Sequence, residues 1–257
     1  MQAIDLDDLK KAKQLLENPG LAAKITHLMG TPIDKGFALL PESWREKIGE
    51  ITRTALSKAI QTAIITMKDS PGEEASKTWH KIAVATTGSV GGFFGLAGLA
   101  IELPLSTTIM LRSIADIARS ENENIHGAES QLACIEVFAL GGPSMSDDAA
   151  ESGYFAARAA LGQSISNAVE HITKRGLVEK NAPALVRLII QIAERFSIQV
   201  SEKAAAQAVP AIGAAGGALV NTLFIDHFQD MARGHFIVRR LERMYGKHVV
   251  KETYLSV

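Results

Sequence analysis

A chain of 257 residues that is 47% hydrophobic and 21% charged carries ample material for a core, which excludes an intrinsically disordered protein. A net charge of -1 and an aromatic content of 5% give neither the basic field nor the stacking surface of a nucleic-acid binder. The single cysteine, Cys134, rules out an internal disulfide framework and suits a reducing compartment.

The N-terminal segment MQAIDLDDLKKAKQLLENPG is charged and amphipathic. It lacks the apolar run of a secretory signal, so the chain is expected in the cytoplasm. Residues 5–17 read as an amphipathic helix stopped at Asn18, Pro19 and Gly20. A second helix, 21–29, ends at Gly30, Thr31 and Pro32. Pro41 sits where the first turn of a longer helix should begin. In that helix Ile48, Ile51, Ala55, Leu56, Ala59, Ile60, Ala63, Ile64 and Met67 recur at three-and-four spacing, one stripe facing a core. Ser70, Pro71 and Gly72 break it.

Residues 82–101 (IAVATTGSVGGFFGLAGLAI) form an uncharged, glycine-studded stretch about as long as a bilayer core is thick. Gly88/Gly92 and Gly91/Gly95 have the spacing that lets helices touch backbone to backbone. Its strongly apolar residues favour insertion by about 3–4 kcal/mol, offset by its glycines, threonines and serine, which makes it marginal as a span. Glu102, beside Pro104 at the end of the stretch, reads either as a functional ionisable residue or as the point where this helix emerges into water, and Glu102 and Arg112 are candidates for a buried ion pair.

Gly141, Gly142 and Pro143 are a strong break, and Ser144 with Asp147 reads as the start of a helix that ends near Lys174, Arg175 and Gly176. Glu151, Tyr154, Phe155 and Arg158 share one of its faces; Glu151 and Arg158 are too far apart to pair, so each is expected to meet another helix. Asn181 and Pro183 open the next helix, rich in Leu185, Leu188, Ile189 and Ile192. Residues 204–225 (AAAQAVPAIGAAGGALVNTLFI) form the second glycine stretch, with Gly213/Gly217 at close-packing spacing and Gln207, Pro210 and Asn221 opposing insertion. The last long helix runs from about residue 226 to 245, with Gly246 as its stop. Within the stretches GLAGLA (95–100) resembles GAAGGA (213–218), and each is followed by a polar residue, Glu102 or Asn221, and then by an amphipathic helix, which hints at a duplicated hairpin.

Sustained period-two alternation is absent, so the expected fold is all-α. It is a single multi-helix domain with two glycine-rich central helical hairpins, in which residues 1–79 form an N-terminal helical arm and 80–250 the main helical domain. Cys134, in the apolar run QLACIEVFAL, reads as core.

Asp226, His227, Asp230 and His235 lie on one helix and resemble a cluster for a divalent metal, although no HExxH spacing is present. Their plain reading is a row of polar side chains on the helix surface that pair with nearby arginines. Arg233, Arg239, Arg240, Arg243, Lys247 and Lys251 either meet anionic headgroups or form a solvated face. GxSxG elbows, P-loops and GxGxxG turns are absent.

The segments ELPLSTTIMLRSIADIARSE (102–121), CIEVFALGG (134–142), ESGYFAARAAL (151–161) and 200–246 resemble the EcsC family, over roughly residues 80–250. That family is bacterial and mostly helical, and is named for a protein encoded beside an ABC transporter. The resemblance implies association with membrane or export physiology and assigns no reaction. Peptidase labels carried by some members find no protease constellation here.

Two functions are therefore expected in opposition. The first is a non-enzymatic cytoplasmic protein, peripheral on the inner membrane, that binds anionic lipid or an inner-membrane protein such as a transporter. The second is a metal-dependent or other hydrolase using a Glu/Asp/His cluster. In either case Glu102, Arg112, Glu151, Arg158, Asp226, His227, Asp230 and His235 are the candidate site residues, expected to gather at the mouth of the hairpins.

Overall fold

The structure, a computed structural model, describes residues 1–17, 20–30, 33–68, 95–142, 153–175, 182–209 and 213–257. Ten α-helices and no strands occur among these residues.

Local chemistry sets many helix ends. After α1 (Ala3–Glu17), α2 (Leu21–Met29) closes on Gly30 at φ 62°, whose N–H bonds Thr26 O at 3.0 Å. A short α3 (Asp34–Leu39) follows that the pattern of residues did not announce. The next helix, α4 (Trp44–Lys68), buries Ile48, Ala55, Leu56, Ala59 and Ile60 on the expected stripe. The side chains of Ala63, Ile64 and Met67 lie outside the described ones.

The first glycine stretch enters the described structure only at its end, where residues 95–101 form the first turns of α5 (Gly95–Ser120). This helix does not end at Glu102 and Pro104. It includes Pro104, where Thr108 Oγ1 donates to Pro104 O at 2.7 Å, and continues to Ser120. After it come α6 (Ala128–Glu136) with a 3-10 turn (Val137–Ala139), and α7 (Gly153–Arg175). The start expected at Ser144 and Asp147 lies outside the described residues.

The second glycine stretch is two structures, not one. Residues 204–208 end α8 (Pro183–Ala208), and Gly213 begins α9 (Gly213–Tyr245). Pro210 explains the split: it has no N–H to donate and forces its predecessor out of helical geometry, and Val209 is extended at ψ 114°. The last long helix thus starts at Gly213 rather than near residue 226. Gly246, at φ 87°, separates it from α10 (Lys247–Ser256). Among the described residues no helix is long and apolar enough to cross a membrane.

With 33 residues and a length of about 50 Å, α9 is the spine of the molecule. Helices α1, α2, α5, α8 and α10 all pack on it. Gly234 lets α1 lie against its backbone: a Cβ there would come 2.6 Å from Leu16 Cγ and 3.0 Å from Ala12 O. The few aromatic residues concentrate where they do most, with the Phe138, Phe196, Phe224 and Phe228 rings 4.9–6.0 Å apart at the junction of α8, α9 and the 3-10 turn. Cys134 is buried as expected, and burial, with help from the charge of Glu123, pushes its thiol up to about 12. Helix α4 packs on α5 and α8, so residues before 80 and after 95 share one core. The division expected at 79/80 falls outside the described residues.

Candidate functional site

Three helices each turn an i, i+4, i+7 row of side chains toward a common cleft. From α6 come Glu129, Ala133 and Glu136; from α7, Phe155, Ala159 and Gly162, with Ile165 and Val169 further along. Helix α9 contributes Arg239 and Glu242, above His235 on the same face. Lys247 and Lys251, one turn apart on α10, close the rim. The cleft has a volume of about 580 Å³, within the range of small-molecule sites, about 300–1,000 Å³. Its lining combines an apolar set on α7 with charged side chains from all four helices.

The charged wall is a chain of buried contacts. Arg158 grips Glu242 with both ends of its guanidinium, at 2.7 and 3.0 Å. The same guanidinium donates to the Tyr154 oxygen at 3.2 Å. The Tyr154 oxygen also lies 3.0 Å from His235 Nδ1, a hydrogen bond whose direction follows the imidazole tautomer. Nε2 faces Glu136 Oε2 at 3.8 Å, too far for a hydrogen bond. Alongside, Arg239 holds Glu123 at 2.9 Å and Glu129 at 3.4 Å, and Arg243 also pairs with Glu123.

Burial decides the protonation states. Glu136 is 4% exposed, and no described residue donates a hydrogen bond to its carboxyl. Desolvation raises it to about 7, against the pull of Arg158 and Arg239. His235 is held neutral, well below the usual imidazole range, first by burial and then by those two arginines. Burial opposes the charge of Glu123, but the hydrogen bonds from Arg239 and Ser130 keep it lowered.

Of the residues expected to form the site, Arg158 and His235 meet here, linked through Tyr154. The expected face of α7 is real at Tyr154, Phe155 and Arg158, and Arg158 meets a second helix, α9. Glu151 lies outside the described residues. Glu102 is elsewhere: fully buried Lys203 places Nζ 2.5 Å from Glu102 Oε1, 2.8 Å from Asn221 Oδ1 and 4.8 Å from the centre of the Phe224 ring. Glu102 and Arg112 stand ten residues apart on one helix, about 15 Å along its axis, beyond the reach of a direct ion pair.

The metal cluster is corrected in the same way. Asp226 is exposed, and Asp230 pairs with Lys24 at 3.4 Å and Arg233 at 3.1 Å. His227 is buried against Gly141, held neutral at about 4 chiefly by burial and by Lys24, with neither ring nitrogen hydrogen-bonded. His235 lies two turns away in the cleft wall. Among the described residues no three His, Cys, Asp or Glu side chains converge to hold a metal. Of the basic C-terminal residues, Arg240 pairs with Asp8 and Glu121, and Arg239 and Arg243 with Glu123, while Arg239, Lys247 and Lys251 line the cleft.

Reading the residues one by one did not single out Glu136, Glu242 or Lys203 as site residues, and named Arg239 only within the basic C-terminal run. The legible signal was the i, i+4, i+7 row of polar residues His235, Arg239 and Glu242, on a helix whose opposite sides are core.

The sequence model of one protein family, described as the EcsC protein family, matches residues 4–241, which takes in the N-terminal helices as well. No curated protein and no solved structure matches the chain.

Proposed function

This chain belongs to the EcsC protein family, and we propose that it acts by binding rather than by catalysis, holding the headgroup of a membrane lipid in the cleft between α6, α7, α9 and α10. In this reading it works from the cytoplasmic face of the inner membrane, as a peripheral protein. The supporting observation is the two-sided cleft. Phe155, Ala159, Ile165 and Val169 suit the apolar part of an amphiphile, and Arg239, Lys247 and Lys251 suit its phosphate.

Flotation of the purified chain with vesicles of mixed phosphatidylcholine, phosphatidylglycerol and phosphatidylethanolamine tests the proposal. The chain is expected to float, and Ile165→Glu, which charges the apolar wall, is expected to leave it at the bottom of the gradient. A wild-type chain that ignores every vesicle contradicts the reading. A chain that floats only with protein-containing membranes has a protein partner instead.

A further inference from the structure

The charged wall of the cleft is almost fully paired within itself, and the exception has one sign. Arg158 is committed to Glu242 and Tyr154, and Arg239 to Glu123 and Glu129. Glu136 alone presents a buried carboxyl to the cleft with no donor from any described residue. A buried carboxylate without a partner is costly, and the cost is relieved by a donor that arrives with positive charge. Lys247 and Lys251 stand across the rim on one face of α10, with the Lys251 ammonium 5.6 Å from the Phe155 ring centre.

We propose that the cleft selects a primary ammonium set beside a phosphate ester, the phosphoethanolamine group of an aminophospholipid, with its ammonium on Glu136 and its phosphate between Lys247 and Lys251. This rests on the lipid-headgroup reading above and narrows it. A primary ammonium brings three N–H donors, which match the open lone pairs of a carboxylate. A trimethylated ammonium brings none and depends on a cage of aromatic faces, whereas Phe155 is the one aromatic ring among the described cleft residues. An anionic headgroup without an amine would set its hydroxyls against Glu136 and leave the carboxyl's charge uncompensated.

Flotation with three vesicle compositions separates these cases: phosphatidylcholine alone, and phosphatidylcholine mixed equally with phosphatidylglycerol or with phosphatidylethanolamine. The ethanolamine vesicles are expected to bind at least about tenfold more tightly than either other kind, the size of a lost charged hydrogen bond. Soluble phosphoethanolamine is expected to compete and phosphocholine not to, which ties the preference to the headgroup rather than to the curvature of the bilayer. Glu136→Gln is expected to erase the difference between vesicles. These arms work on the unmutated chain, so they hold even if the variant folds poorly. Equal binding to all three vesicles, or preference for phosphatidylglycerol, overturns the ammonium assignment while the lipid reading stands. Absence of binding to any vesicle overturns both.

Discussion

Lys203 and Glu102 form a contact that joins two remote parts of the sequence inside the core. The lysine is fully buried on α8, and its ammonium sits 2.5 Å from a carboxylate on α5 that is 25% exposed. Asn221, on α9, accepts from the same ammonium at 2.8 Å. Glu102 follows the first glycine stretch and Asn221 lies within the second, so one lysine ties the two together.

Breaking this contact from one side is expected to be worse than removing it whole. Glu102→Leu strands a buried ammonium, whose charge is already disfavoured by burial, and should cost about 3 kcal/mol. Lys203→Met should cost less, because water reaches Glu102. The double variant should recover at least half of the loss in Glu102→Leu, measured by urea unfolding. Strictly additive losses would show that the pair is not coupled.

Stability near neutral pH should carry the imprint of Glu136. Its folded-state value is raised from 4.5 to about 7, so the folded chain binds the extra proton between those values. The stability held by the protonated form is complete below about pH 4.5 and is lost as pH rises through 7, on the order of 3 kcal/mol. Glu136→Gln should abolish that decline, so the variant's advantage over wild type grows from pH 4.5 to pH 7 in denaturant titrations. A constant difference across that window would mean that the carboxyl is hydrated.

His227 works in the opposite direction over nearly the same window. Its folded-state value is lowered from 6.5 to about 4, so the unfolded chain binds more protons between them. Its contribution is present above pH 6.5 and lost as pH falls through 4, again on the order of 3 kcal/mol. In wild type the two trends partly cancel. Glu136→Gln should therefore steepen the acid-side loss, and His227→Gln should flatten it; nuclear magnetic resonance titration of the imidazole checks the assignment directly.

Gly234→Ala introduces a methyl group against Leu16 and the Ala12 carbonyl of α1. In an exposed helix the change would stabilise, because alanine is the better helix former. Here the overlap should prevail, with a loss of about 1–3 kcal/mol. Hydrogen exchange should show the loss first in α1. A gain in melting temperature would mean that α1 lifts off without cost.

The sequence declared what local chemistry controls. Gly30, Pro183 and Gly246 punctuate helices because their backbone preferences act within a few residues. Pro210 and Pro104 look alike in that respect and behave differently: one separates α8 from α9, and the other sits inside α5. Helix α3 escaped notice because six residues carry too little periodicity, and it is held by packing, with Gly36 against the Ala205 carbonyl. At the site, Tyr154, Phe155 and Arg158 were legible as one face of one helix. Glu136 was not, because a lone carboxylate in QLACIEVFAL gains meaning only from α7 and α9, which arrive from far along the chain. Lys203 sits in SEKAAAQA, which reads as solvated helix, and only the close approach of α5 and α9 buries it.

The burial of Cys134 makes the native chain chemically silent to thiol reagents at neutral pH, since its only thiol is sealed from solvent and scarcely ionises. Each modification event must therefore report an opening of the α6 region. A maleimide dye needs no engineered label here: its rate of incorporation measures how often the wall that carries Glu136 comes apart, and a ligand seated in the cleft should slow that clock in proportion to its occupancy.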